Sequence, residues 1–270
     1  MFGAWALEST PARSRCCRPV RSSRSGVWAY IGRAFAACKR RISVRKAKKR
    51  VVFRGLDALR NEGPRSPDIV LGDAPIWRGW LDATAQAEIV GALREVVAAA
   101  PLFSPETRWG KQMSVQMTSA GRYGWYSDRR GYRYIDRHPS GAGWPEIPAP
   151  VLAVWRALAP DARDPDCCLV NHYRGTAKMG LHQDRDEVDF TQPVLSISLG
   201  DAGLFRIGGT TRGGPTQSTW LESGDALLLT GPSRLAYHGI DRVRGGSSSL
   251  LEKTGFGGGG RINLTLRVVD

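Results

Sequence analysis

The sequence predicts a mainly β fold with flanking helices, the helices packed on a closed or double β-sheet. Three observations carry this. Two segments of helical period come early, at residues 83–99 and 151–159. After Asp166 the chain breaks into short apolar and β-branched runs separated by turn signals. The last of these, residues 261–267, alternates polar and apolar side chains without a break.

Taken in order, residues 1–66 read as leader and linker, ending in the turn-rich Asn61-Glu62-Gly63-Pro64. The globular pattern begins near Asp68 and defines a domain over residues 67–270. Helix 83–99 has Asp82 as its cap, and Ile89, Val90, Leu93, Val96 and Val97 make one apolar stripe. Helix 151–159 is entered after Pro148 and Pro150. Strands are expected at 168–173, 194–199, 226–230 and 262–269. The glycine run at 255–260 lacks the Gly-Lys-Ser/Thr ending of a phosphate loop and reads as a loop into the last strand.

Charge separates the leader from the rest. The formal net charge is +14. Residues 1–50 hold 14 Lys and Arg against the single acid Glu8, leaving 25 basic and 24 acidic side chains beyond them. The body is close to neutral, so the global charge excludes nothing about its site and only local patches bear on anion binding. Three readings of the leader stay open: a disordered basic arm or over-extended start, an organelle transit peptide, or a nucleic-acid-binding tail. No apolar run approaches the roughly 18 residues of a membrane span. Five cysteines without Cys-x-x-Cys spacing exclude a usual zinc site and suit a reducing cytoplasm.

The chemistry centres on Leu181-His182-Gln183-Asp184. His-x-Asp on extended backbone puts both side chains on one face. Two imidazoles and a carboxylate on one side of Fe(II) leave the opposite positions open for co-substrate and oxygen. Among four histidines, His238 in Tyr237-His238-Gly239 is the natural third ligand. The alternative is a surface pair near a turn. On the last strand, Arg261, Asn263, Thr265 and Arg267 share a face. Turned inward, two arginines call for anions such as a dicarboxylate; turned outward, they mark an edge strand. Asn171 and Tyr173 face the same way as each other, whereas His172 faces oppositely as a structural histidine.

Together, Asn171-x-Tyr173, His182-x-Asp184-x-Asp186-Glu187, Val194-x-Ser196-x-Ser198, Tyr237-His238-Gly239-Ile240 and Arg261-x-Asn263-x-Thr265-x-Arg267 resemble the AlkB family of Fe(II)- and 2-oxoglutarate-dependent dioxygenases, most closely its bacterial members. The likeness spans roughly residues 68–270. It implies a double-stranded β-helix (jelly-roll) core over about 166–270 and a nucleotide-recognition lid over about 105–140. It implies His182, Asp184 and His238 as iron ligands, with 2-oxoglutarate held by Asn171, Tyr173, Arg261, Asn263 and Arg267. Met117, Trp125, Tyr132, Asp186 and Arg212 match positions that contact the base, and Lys178 and Arg185 match positions suited to phosphate. Segment 122–138 interleaves five arginines with five aromatics, a pattern of stacking platforms along a nucleic-acid backbone. Lys111 stands where the family has a tyrosine, and the glycine pair before it is missing, which bears on strand preference and base range.

The expected activity is oxidative demethylation of 1-methyladenine and 3-methylcytosine with Fe(II), 2-oxoglutarate and O2. The expected partner is alkylated DNA, single- or double-stranded, with RNA as the alternative. A monomer in the bacterial cytoplasm is expected. Two rivals remain: a non-catalytic nucleic-acid-binding protein, and a jelly-roll oxygenase acting on a small molecule or protein, for which Trp125 and Tyr132 would be core residues.

Overall fold

The computed structural model describes residues 65–270. The readings of the basic leader fall almost wholly outside these residues. Arg65 is packed: its carbonyl accepts the Trp77 indole N–H at 2.7 Å and its guanidinium donates to the Arg78 carbonyl at 2.7 Å.

The chain opens with a hairpin, β1 (Ile69–Leu71) and β2 (Ala74–Trp77). Both turn residues, Gly72 and Asp73, have positive φ (55° and 63°), the backbone a two-residue hairpin turn of matching twist demands. Helix α1 (Ala83–Ala99) follows, with the Asp82 carboxylate accepting from the Ala85 N–H at 2.8 Å. Its Ile89, Val90 and Leu93 are fully buried. Each such side chain stabilises the fold by about 1.5–3 kcal/mol. Next come β3 (Gln116–Gly121), the hairpin β4 (Gly124–Asp128) and β5 (Gly131–Ile135), and helix α2 (Ala149–Leu158). Helix α2 starts two residues before the position predicted, because Pro150 fits inside a first turn whose N–H groups need no helical partner.

The remaining strands are β6 (Cys167–Tyr173), β7 (Met179–His182), β8 (Val194–Gly200), β9 (Ala202–Ile207), β10 (Gln217–Leu221), β11 (Ala226–Leu229), β12 (His238–Arg244) and β13 (Arg261–Arg267), with a short helix α3 (Leu250–Lys253) before the last. They form a seven-stranded sheet in the order β1-β2-β11-β8-β13-β6-β3 and a four-stranded sheet in the order β10-β9-β12-β7, while β4 and β5 pair only with each other. All pairings are antiparallel. The larger sheet is covered on both faces. Ile262, Leu264 and Leu266 of β13 meet α1 and α2 in one apolar cluster. On the other face Leu169, Tyr173 and Leu227 meet Phe205, Ile207 and Ile240 of the smaller sheet. Two sheets facing each other, with helices behind the larger, make a double-stranded β-helix. Among the described residues no helix is long and apolar enough to cross a membrane.

Candidate active site

Strand register assembles the site. Along the inner face of the large sheet, Met117 of β3 lies opposite Asn171 of β6, which lies opposite Asn263 of β13. One row over, Tyr173 lies opposite Arg261. In the small sheet, His238 of β12 lies directly opposite His182 of β7. Gly239 lets these two strands close. A Cβ there would sit 2.5 Å from the Met179 carbonyl oxygen, so only glycine fits beside His238.

His182, Asp184 and His238 converge, with one ligand atom from each lying within 4.8 Å of the others. The Nε2 atoms of His182 and His238 each lie 3.6 Å from an oxygen of Asp184. Each Nδ1 is 2.9 Å from a backbone carbonyl, Gly180 for His182 and Ala236 for His238. A carbonyl only accepts, so both Nδ1 atoms carry a proton and each Nε2 faces the carboxylate. Burial, then His182, pushes the His238 pKa down to about 4, so this imidazole is neutral at pH 7. Burial works to raise the Asp184 pKa, but Arg267 and then the two histidines outweigh it and hold the carboxyl well below the usual range. Asp184 Oδ2 is buried without a hydrogen-bond partner. Two ring nitrogens and a buried, unpartnered carboxylate oxygen converging within 4.8 Å fit a divalent cation with N and O ligands.

The triad sits in a cavity of about 140 Å³. Asn171, Tyr173, Asn263 and Arg267 line it, and so do Met117, Trp125, Tyr132 and Asp186. Arg261 lies behind this wall, fully buried. Its guanidinium donates to the carbonyls of Asp201 and Leu221 and to Ser198 Oγ, while its Nε has no partner. Burial lowers its pKa to about 10, which leaves it charged at neutral pH. A buried cation with only neutral acceptors is a costly arrangement that an entering carboxylate relieves. These residues fit a dicarboxylate.

Trp125 and Tyr132, on the β4–β5 hairpin, stack with centroids 5.3 Å apart. Trp125 Nε1 donates to Asp186 Oδ2 at 3.3 Å. Burial raises the Asp186 pKa. Tyr132 is 53 % exposed, not the core position a small-molecule oxygenase reading required, while Trp125 is partly buried against the inter-sheet cluster. Arg212 is not part of the cavity wall; it is exposed on the glycine-rich loop 208–214 between β9 and β10. Lys178 and Arg185 are also exposed. His172 turns away from the cavity, 3.2 Å from the Gly259 carbonyl and edge-on to Phe256.

One cluster was missed by sequence reasoning. Glu187 is buried between Arg234 (3.1 Å) and Arg267 (3.3 Å) and accepts from Tyr134 Oη at 2.5 Å. Arg267 donates to Asp184 Oδ1 and Arg234 to the Asp184 carbonyl, each at 2.7 Å. Two cations and two anions therefore tie the hairpin to the metal carboxylate. The only sequence signal was an acidic run, Asp184-x-Asp186-Glu187, denser than one metal ligand needs.

Comparison with known proteins agrees with this geometry. Residues 73–267 match the family model described as the 2OG-Fe(II) oxygenase superfamily. The chain is 50% identical over 221 residues to an alpha-ketoglutarate-dependent dioxygenase AlkB homolog of Caulobacter vibrioides, covering 82% of this chain and 96% of that one. It is 36% identical over 189 residues to the alpha-ketoglutarate-dependent dioxygenase AlkB of Escherichia coli, covering 68% of this chain and 84% of that one. The solved structure of OsALKBH1 superposes with a TM-score of 0.63 at 30% identity, covering 76% of this chain and all of that one. Site geometry, family match and near full-length relatives agree: the chain belongs to the AlkB family and is a dioxygenase that uses Fe(II), 2-oxoglutarate and O2.

Proposed function

We propose that this enzyme reverses alkylation damage in DNA by oxidative demethylation of 1-methyladenine and 3-methylcytosine, with RNA as an alternative substrate. The AlkB and ALKBH1 relatives, the latter including a human nucleic acid dioxygenase, support a nucleic-acid substrate. The observation that carries the reading is the pairing of the triad with an aromatic, arginine-rich hairpin over one cavity.

His182, Asp184 and His238 hold the iron. Asn171, Tyr173, Arg261, Asn263 and Arg267 hold 2-oxoglutarate, whose two carboxylates meet the two arginines. Bound iron, with 2-oxoglutarate and O2, supplies the oxidation that converts the N-methyl group to a hemiaminal, which releases formaldehyde and the native base while the co-substrate leaves as succinate and CO2. Met117, Trp125 and Tyr132 receive the extruded base, and Arg212 approaches it from the β9–β10 loop. Trp125 covers one face of the base and the His182 ring the other. Stacking of this kind contributes ~1–3 kcal/mol, similar to the cost of unstacking the nucleotide. Asp186 favours 1-methyladenine and 3-methylcytosine, cations at neutral pH, over their neutral parents. Lys178 and Arg185 meet the phosphates.

The test is incubation of the protein with Fe(II), 2-oxoglutarate and a 1-methyladenine oligonucleotide, assayed for formaldehyde and restored adenine. His182→Ala is expected to abolish both products and to weaken Fe(II) binding measured without substrate. Turnover surviving in that variant refutes the ligand assignment. A wild-type protein inert on methylated DNA and RNA refutes the substrate.

A further inference from the structure

Trp109 is 74 % exposed, against 53 % for Tyr132 in the cavity wall. A single exposed apolar side chain carries no message by itself. This one is presented. It sits in a closed turn in which the Gly110 N–H donates to the Thr107 carbonyl at 2.8 Å and the Thr107 N–H donates to the Lys111 carbonyl at 2.9 Å. Gly110 takes φ 75°, a left-handed conformation that suits glycine and holds the tip in this shape. The Arg108 guanidinium lies 4.3 Å from the centroid of the Trp109 ring and covers one face. The other face is left to solvent.

The turn is fixed to the substrate hairpin. The Glu106 N–H donates to the Ser127 carbonyl at 3.2 Å, and Ser127 Oγ donates back to the Glu106 carbonyl at 2.5 Å. Ser127 is the strand partner of Tyr132. Gly110 packs against the Arg129 side chain, where a Cβ would come within 3.1 Å of Nε. Met113, just beyond the turn, lines the cavity. Arg108 lies on the ring and Arg129 beside Gly110, and Lys111 closes the turn, while Asp128 on the same hairpin is engaged by Arg133 at 2.8 Å and by Arg130 at 3.5 Å. A flat aromatic face with a guanidinium behind it and basic side chains around it matches a nucleobase flanked by phosphates.

We propose that Trp109 is a second base platform: it stacks on a base of the substrate strand adjacent to the extruded nucleotide, outside the cavity, and so sets how strongly neighbouring sequence contributes to binding. The inference rests on the nucleic-acid reading above. The hydrophobic face selects a base, and the cations around it select the backbone on either side.

The test compares wild type with Trp109→Ala and Trp109→Phe on 1-methyladenine oligonucleotides whose flanking bases are intact or replaced, one side at a time, by abasic residues. With intact flanks, Trp109→Ala is expected to raise KM roughly five- to tenfold, the lower end of base–aromatic stacking. Its kcat and its KM for 2-oxoglutarate should be unchanged, and Trp109→Phe should recover most of the loss. On the substrate lacking the stacked base, wild type and Trp109→Ala should be equal within twofold. Equality on intact substrate, or the same loss on every substrate, overturns the proposal while leaving the demethylase assignment standing. A wild type that turns over none of these oligonucleotides overturns the demethylase reading itself.

Discussion

Glu187→Gln removes one charge from the buried cluster at almost constant volume. In the wild type, Arg234 and Arg267 are balanced by Asp184 and Glu187, all four buried. The substitution leaves the cluster with an excess positive charge and places an amide where Tyr134 and two guanidiniums all have N–H or O–H to donate. Breaking a buried pair from one side costs about 3–5 kcal/mol. Arg234 keeps the carbonyls of Asp184 and Gln192, each at 2.7 Å, and Arg267 keeps Asp184 at 2.7 Å. The expected loss is therefore at the lower end, about 3 kcal/mol. For a domain of this size each kcal/mol lowers Tm by about 2–4 °C, so a drop of roughly 6–12 °C is expected. Urea titration followed by tryptophan fluorescence measures the free energy, and calorimetry the midpoint. Tyr134→Phe is the control, since it keeps the charge balance and removes the bond donated to Glu187, worth about 1.5–3 kcal/mol, with the long 3.4 Å contact from Arg267. A Glu187→Gln loss under about 1 kcal/mol, or one smaller than that of Tyr134→Phe, refutes the charge argument.

Gly239→Ala should push β12 off β7 and displace His238, weakening Fe(II) binding about 10- to 100-fold, the range seen when groups that orient metal ligands are lost. Unchanged affinity in an isothermal titration would contradict the close-approach argument. Cys167 and Cys168 are buried, and burial pushes the Cys167 thiol up to about 12 and Cys168 higher still. Peptide mapping should find both unalkylated by iodoacetamide at pH 8 until denaturant is added, and labelling of the native protein would be the contrary result. The Arg133 guanidinium, with the Arg130 N–H, holds the Asp128 carboxyl well below the usual range. Because the folded pKa is depressed, this tie is at full strength above the unfolded value of about 3.9 and is lost as pH falls through the folded one. Carboxyl NMR should show Asp128 titrating below the ordinary aspartate value of about 3.9; a midpoint at or above it would count against the tie.

Elements with local signals were legible in the sequence. Helix α1 could be placed because Asp82 and the apolar stripe lie within one contiguous window. The inner row of β13 could be read because alternation is a property of the strand alone. Strand β7, four residues containing Gly180, has no such pattern, although His182 sits at its end. The His-Asp pair was visible from its spacing of two, whereas the exact partnership of His238 depended on a β7–β12 register that no local rule supplies. Glu187, Arg234 and Tyr134 were invisible as a cluster because the partners of Glu187 lie 47 and 53 residues away in sequence. Each one alone is an ordinary surface residue type. Trp109 carries no local signal for a similar reason: its exposure follows from how the turn at 107–111 closes, not from its neighbours in the chain.

The buried guanidinium of Arg261 gives the proposed co-substrate site a consequence for stability. The chain folds around a positive charge that only carbonyls and a hydroxyl address. A dianion that neutralises it binds the native state and not the unfolded chain, so it raises stability by RT ln(1 + [L]/Kd). With Arg261 in the proposed 2-oxoglutarate site, Arg261→Met should give a sturdier empty protein that no longer gains heat resistance from 2-oxoglutarate, whereas an unchanged 2-oxoglutarate-dependent rise in Tm would remove Arg261 from that site.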